Sequence, residues 1–218
     1  KEFDEAVEEL LKEGNELEKA VNDKLLVKKV KNQFRTLVSC WVKDTRWVDR
    51  AYRKPRGYPG DAKLLEAIYD NKPIFDQGVS SCFDRNFLND TYAIAIRNRK
   101  EKTKDLLHQF LNTIPLNSVR LLNLACGACR ELKELFAERT WDRQFHLTCV
   151  DHDEEALALA RDHLATLPPK FAVEFIKEDI LTLCKSANYV ETLSGQHLIY
   201  SIGLADYLPD RILKKMLA

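Results

Sequence analysis

The sequence predicts an α/β fold, a parallel sheet flanked by helices, preceded by a region that is helical alone. Three observations carry this. Up to residue 112 the apolar residues recur at helical spacing. From Ser118 they gather into short strand-like runs that alternate with helical segments. At the start of that second texture, residues 119–131 (VRLLNLACGACRE) run from an apolar stretch into a tight turn at Gly127, and a helix-forming segment follows at once. Strand, glycine turn and helix in that order offer backbone N–H groups and a helix N-terminus to a ligand.

The chain of 218 residues therefore divides into a helical region, 1–112, and an α/β region, 113–218. In the first, Phe3, Val7, Leu10, Gly14, Leu17 and Val21 follow an alternating spacing of four and three, the seam of a helix. Leu26, Val30, Phe34, Leu37, Val38 and Trp41 repeat that period. Asn22-Asp23 is either the turn of a helical hairpin or a point that one long helix runs through. Residues 54–61 (KPRGYPGD) hold two prolines and two glycines and read as a loop. Asp61 can cap the next helix, 62–69, and a further helix covers 89–111. Two readings of this region stay open. It is a lid whose loop brings Tyr58 and Asp61 onto the strand ends, or its seam is the interface of a homodimer.

In the second region strands fall at 119–125, 146–151, 172–177 and 197–202, and helices at 130–139, 153–166 and 208–217. Right-handed crossovers give the strand order third, second, first, fourth. About two dozen residues after the glycine turn, the run from Phe145 to Val150 ends in Asp151. An acid at the tip of the second strand binds ribose hydroxyls in dinucleotide folds, which points to a nucleoside-bearing cofactor. Capping of the following helix is the alternative role for Asp151.

Other features exclude more than they assign. The net charge is zero and the pI about 7.1, which speaks against a nucleic-acid platform. No apolar run approaches the ~18 residues of a membrane span and no signal peptide is visible, so a cytoplasmic protein is expected. The six cysteines (40, 82, 126, 129, 149 and 184) are scattered, and read as reduced, buried thiols rather than a disulfide framework. Cys126-x-x-Cys129 has redox-pair spacing but coincides with the glycine turn. His146, Cys149 and His152 have zinc-like spacing, yet strand residues three apart face opposite ways, so no metal site is expected. The basic cluster from Lys43 to Arg56, interrupted by Asp44 and Asp49, reads as a solvated face.

Four segments in order carry a family resemblance. Leu122-Asn123-Leu124-Ala125-Cys126-Gly127-Ala128-Cys129, Val150 to Leu157, Phe175 to Ile180 and Tyr200 to Leu208 resemble the motifs of class I S-adenosylmethionine-dependent methyltransferases. In the first motif Asn123 stands where the family has an acid, Ala125 and Cys129 replace glycines, and Gly127 is kept. Arg56 to Asp61, Cys126 to Glu131 and Gly203 to Leu208 further resemble a bacterial subgroup related to 3-hydroxy-fatty-acid methyl ester synthases, where an Arg-Glu pair after the turn is expected.

The resemblance implies a Rossmann-like fold with S-adenosylmethionine as cofactor. It implies that Ala125, Cys126 and Gly127 approach the methionine moiety, and that Asp151, with His152 beside it, holds the ribose. It implies that Asp179 and the Ile180 N–H read adenine, and that Ser201 lines the fourth strand end. Arg130, Arg97 or Arg99 would meet the cofactor carboxylate, and Tyr58, Asp61, Asp206 and Tyr207 would line the acceptor side. The family sheet has more strands than the four counted here, so the chain is expected to be incomplete at its C-terminus. The implied activity is methylation of a small molecule, a hydroxy fatty acid carboxylate being the named candidate. An ionised carboxylate needs positioning rather than a base. A cofactor-binding sensor or interaction module without turnover is the alternative. A nicotinamide-dependent dehydrogenase would want G-x-G-x-x-G, of which only Gly127 is present.

Overall fold

The computed structural model describes residues 2–42, 45–74, 76–183 and 193–217. Cys184, and Lys43 and Asp44 of the basic cluster, lie outside the described residues. The chain forms two compact units, one of residues 1–60 and 67–94, the other of 61–66 and 95–218.

The first unit is helical. It contains α1 (Glu2–Ala20), α2 (Lys24–Val42), α3 (Arg46–Arg53), the second half of α4 (Ala62–Asp70) and α5 (Val79–Asn89). The question at residues 22–23 resolves as a break. The Asp23 carboxylate accepts from the N–H groups of Leu25 at 2.9 Å and Leu26 at 3.1 Å, so Asp23 starts a second helix as its N-cap. Eight acidic residues crowd α1 against two basic ones, while α2 carries five basic residues and no acid. Lys31 pairs with Glu18 across them at 2.5 Å.

No described residue of α1 or α2 is buried. The apolar seam is present but exposed, at Leu10, Leu17, Leu26, Val30, Phe34, Leu37 and Trp41. At its start, Phe3 meets Phe83 of α5 edge to face at 4.9 Å. Sequence periodicity did not reveal α3 or α5. The first is eight residues within a basic run. The second follows Gly78 at φ 87 and buries polar Ser81 and Asp84 beside Leu88, so no apolar seam marks it.

The second unit is the α/β layer structure. α6 (Thr91–Thr113) leads into β1 (Ser118–Leu124), α7 (Arg130–Glu138), β2 (Gln144–Asp151), α8 (Glu154–Leu164), β3 (Phe171–Lys177), α9 (Ile180–Leu183), β4 (Leu198–Tyr200) and α10 (Asp210–Leu217). All pairings are parallel and the order is β3-β2-β1-β4, as expected from the crossover rule. β4 is shorter than the sequence suggested, and the single turn α9 is an addition that Asp179 caps.

The core lies where β1 and β2 meet α6, α7 and α8. Val119, Leu121, Leu147, Leu132, Leu135, Leu157, Leu107 and Leu111 are all almost fully buried. Phe145 stacks on Phe171 with centroids 4.9 Å apart, and Phe136 and Trp141 close the cluster. Buried charge pins α6 to α7: Lys100 and Lys104 both reach Glu134, the latter at 3.0 Å. Burial alone would raise the Glu134 carboxyl, but hydrogen bonds from Lys100, Arg130 and Lys104 outweigh it and hold it down to about 2.

Candidate cofactor site at the strand ends

The turn after β1 has a specific backbone form. Ala125, Gly127 and Cys129 all lie in the left-handed region, at φ 52, 56 and 52. These are the alternate positions where the resembled motif has glycines. Two side chains therefore tolerate a conformation that L-residues avoid, at roughly 1–2 kcal/mol each. Three anchors hold them there. The Cys126 N–H donates to the Val150 carbonyl at 3.0 Å. The Gly127 N–H donates to Asp151 Oδ2 at 2.9 Å. His163 Nδ1, from α8, meets the Ala128 carbonyl at 2.8 Å.

Asp151 thus sits at the tip of β2 as the sequence placed it, and is almost fully buried. Its Oδ1 accepts from the Asp153 N–H at 2.9 Å, and Asp153 rather than Asp151 caps α8, accepting from Glu155 at 3.0 Å. A carboxylate offers about four lone-pair sites, so two accepted N–H bonds leave capacity for two hydroxyls. His152 is exposed and lies 3.4 Å from Asp151 Oδ1. Ser201 Oγ donates to the Leu124 carbonyl at 2.6 Å and ties the end of β4 to the end of β1. Asp179 caps α9, with Oδ1 accepting from Leu181 at 2.6 Å, and Ile180 beside it is buried.

The cations separate. Arg130 is taken up by two carboxylates, Glu66 and Glu134, at 2.8 Å each. Arg99 is different. Its guanidinium lies against Gly203, so closely that a Cβ built on that glycine would come 2.8 Å from Nη1. Asp206 is 3.8 Å away, and among the described residues Arg99 Nε is buried without a hydrogen-bond partner. Tyr207, half exposed, joins this group; partial burial first, then Asp206, raises its hydroxyl against the pull of Arg99. Asp61 is buried and caps α4 through the Leu64 N–H at 3.1 Å. Tyr58 is half-buried and belongs to the helical unit.

Sequence reasoning missed a polar cluster beneath the turn. Strand register puts Tyr200, Asn123, Cys149 and Phe175 in one row across the sheet. Glu131, in the first turn of α7, lies over that row. Its Oε1 accepts from Asn123 Nδ2 and from the Tyr200 hydroxyl, both at 2.9 Å. Burial pushes the Glu131 carboxyl up to about 7, against the hydrogen bonds from its own N–H, Tyr200 and Asn123. A carboxyl group thus comes to lie beside Asn123 from eight residues later in the chain. The sign of it in the sequence was the Arg-Glu pair directly after the turn. Among the described residues, no group of three His, Cys, Asp or Glu has metal-holding geometry.

No family model and no curated protein matches the chain. Solved structures share its architecture. A possible exported protein from Bordetella parapertussis superposes with a TM-score of 0.55 at 21% identity, over 72% of this chain and 48% of that one. The chain thus spans about half the length of that protein, and the likeness is one of fold. The magnesium protoporphyrin IX methyltransferase of Synechocystis PCC 6803, crystallised with bound S-adenosylmethionine, gives 0.43 at 15% identity, over 72% of this chain and 69% of that one.

Proposed function

We propose that this chain is the cofactor-binding part of an S-adenosylmethionine-dependent methyltransferase. The observation that carries the reading is the turn of residues 125–129, held left-handed at three alternate positions and bonded directly to the buried Asp151. Asp151 would take the ribose hydroxyls, with Ala125, Cys126 and Gly127 beneath the methionine moiety. Arg99, whose Nε has no partner among the described residues, fits the cofactor carboxylate better than Arg130, which two carboxylates already hold. His152, Asp179, the Ile180 N–H and Ser201 complete the proposed contacts.

When bound, S-adenosylmethionine supplies an electrophilic methyl group on a sulfonium. The residues of this chain align and desolvate rather than donate protons. Asp206 and Tyr207 flank Arg99 and are proposed, with Asp61, for the acceptor side. The subgroup resemblance supports a small acceptor with a carboxylate, such as a hydroxy fatty acid. The free thiols fit a reducing, cytoplasmic setting.

The test is calorimetric titration with S-adenosylmethionine, its demethylated product and NAD, followed by transfer of a labelled methyl group to fatty acids, amines and RNA. Binding of the first two and not NAD is expected. Asp151→Ala should weaken it by about 1.5–3 kcal/mol, and Asp151→Asn, which keeps one acceptor oxygen, by less. NAD binding alone would overturn the reading. Binding without label in any acceptor would favour a sensor.

A further inference from the structure

Two helices of the first unit present an apolar face to solvent. α1 is fastened at its start, where Phe3 meets Phe83 and Asn86 Nδ2 donates to Asp4 at 3.1 Å. Beyond that anchor every residue from Glu8 to Ala20 is exposed, and so is every residue of α2 from Lys28 to Leu37. On α2, Leu26, Val30, Phe34, Leu37 and Trp41 recur at spacings of four, four, three and four, which puts them on one face. All five are exposed, Leu37 to 75% and Trp41 to 52%. Leu10 and Leu17 continue the pattern on α1. A helix of this length owes most of its stability in water to burial of such a face. These side chains expose roughly 600 Å² per copy, so a two-fold interface would bury about 1,200 Å², the low end for a specific complex.

We propose that this face is the interface of a homodimer, in which α1 of each copy lies against α2 of the other. Charge selects the occupant. α1 carries eight acids and two bases, α2 five bases and no acid. Pairing α1 with α1, or α2 with α2, sets like charges against each other. Crossed pairing sets acid against base twice, and a two-fold axis generates the second contact from the first. The apolar stripe supplies the affinity, and the charges around it choose the partner.

A basic helix bearing Phe34 and Trp41 would also suit an anionic membrane surface. The acidic helix beside it, linked to it by the Lys31 and Glu18 pair, opposes that, because anionic lipid repels it. A second copy satisfies both helices at once. Both belong to the helical unit, so the contact stands whether or not the strand ends hold a cofactor.

The experiment is sedimentation equilibrium of the intact chain at micromolar concentrations. The expected species is reversible and has twice the 25.2 kDa of one chain. A monomer throughout would overturn the proposal. Leu37→Lys should raise the dissociation constant about tenfold with an unchanged far-UV spectrum, because the residue is exposed in the free chain. A variant dimer as strong as wild type would take the interface away from this face. Raising salt from about 50 to about 500 mM should weaken the dimer roughly threefold, because crossed pairing is attractive. A dimer that tightens with salt would mean that like charges meet, and would overturn the crossed arrangement. Charge reversal is the sharpest arm. One variant carries Glu8→Lys, Glu9→Lys, Glu13→Lys and Glu16→Lys; another carries Lys24→Glu, Lys28→Glu, Lys29→Glu and Arg35→Glu. Each alone should self-associate about tenfold more weakly than wild type, and an equimolar mixture should regain the dimer. Undiminished self-association of either, or a mixture that stays monomeric, would sink the proposal. The last arm is flotation with vesicles of phosphatidylserine and phosphatidylcholine. A monomer that floats with them, and ceases to when Trp41→Ser is introduced, would give the face to a membrane instead.

Discussion

At residue scale the site is built from exceptions. Ala125 and Cys129 hold the same left-handed φ as Gly127. Ala125→Gly should relieve that strain faster than it adds unfolded-state entropy, stabilising the protein by about 0.5–1 kcal/mol in urea unfolding. An unchanged midpoint would show that the strain is absent. Glu131 makes a prediction about pH. Its folded value of about 7 stands above its ordinary 4.5, so the folded chain keeps a proton that the unfolded chain has lost. The stabilisation is complete below the unfolded value and disappears as pH rises through about 7, on the order of 3 kcal/mol. Glu131→Gln, which still accepts from Asn123 and Tyr200, should flatten stability between pH 4.5 and 7; a slope equal to wild type would refute the assignment. Asp151 and the turn were legible because a strand tip and a tight turn are local patterns. Glu131, Asn123 and Tyr200 were not, because their cluster exists only through parallel register and a helix laid across it.

At the scale of elements, periodicity revealed what periodicity can. The four strands, their order and the helices between them follow from alternating apolar runs and one handedness rule. α5 was invisible because its buried side chains include Ser81 and Asp84, and β4 was overdrawn because only Leu198 to Tyr200 join the ladder on β1, Ser201 bonding the Leu124 carbonyl through its hydroxyl instead. The junction of α6 with the segment after β4 yields a sharper test. Gly203, at φ 77, leaves the space that the Arg99 guanidinium fills. Gly203→Ala should cost only about 1 kcal/mol of stability, because the crowded atom ends a flexible side chain. It should weaken cofactor binding about tenfold by moving a cation. Unchanged affinity would remove Arg99 from the site. In the core, Phe145 touches Phe136, Trp141 and Phe171. Its replacement by Ala should cost about 3–5 kcal/mol in thermal unfolding, more than any substitution in the turn.

For the whole molecule, ligand linkage offers the broadest check. Cofactor at a hundred times its dissociation constant should add about 2.7 kcal/mol of stability, read as a rise in Tm, and NAD should add none. The division of α1 from α2 has a further consequence. A chain with zero net charge is electrically silent only at a distance. Here one exposed helix is strongly acidic and the next strongly basic, so the helical unit presents an adhesive patch of each sign. Near its pI of about 7.1 it should be retained by anion and cation exchangers alike. Its solubility should rise when salt is added, because screening removes the attraction between unlike patches of neighbouring molecules.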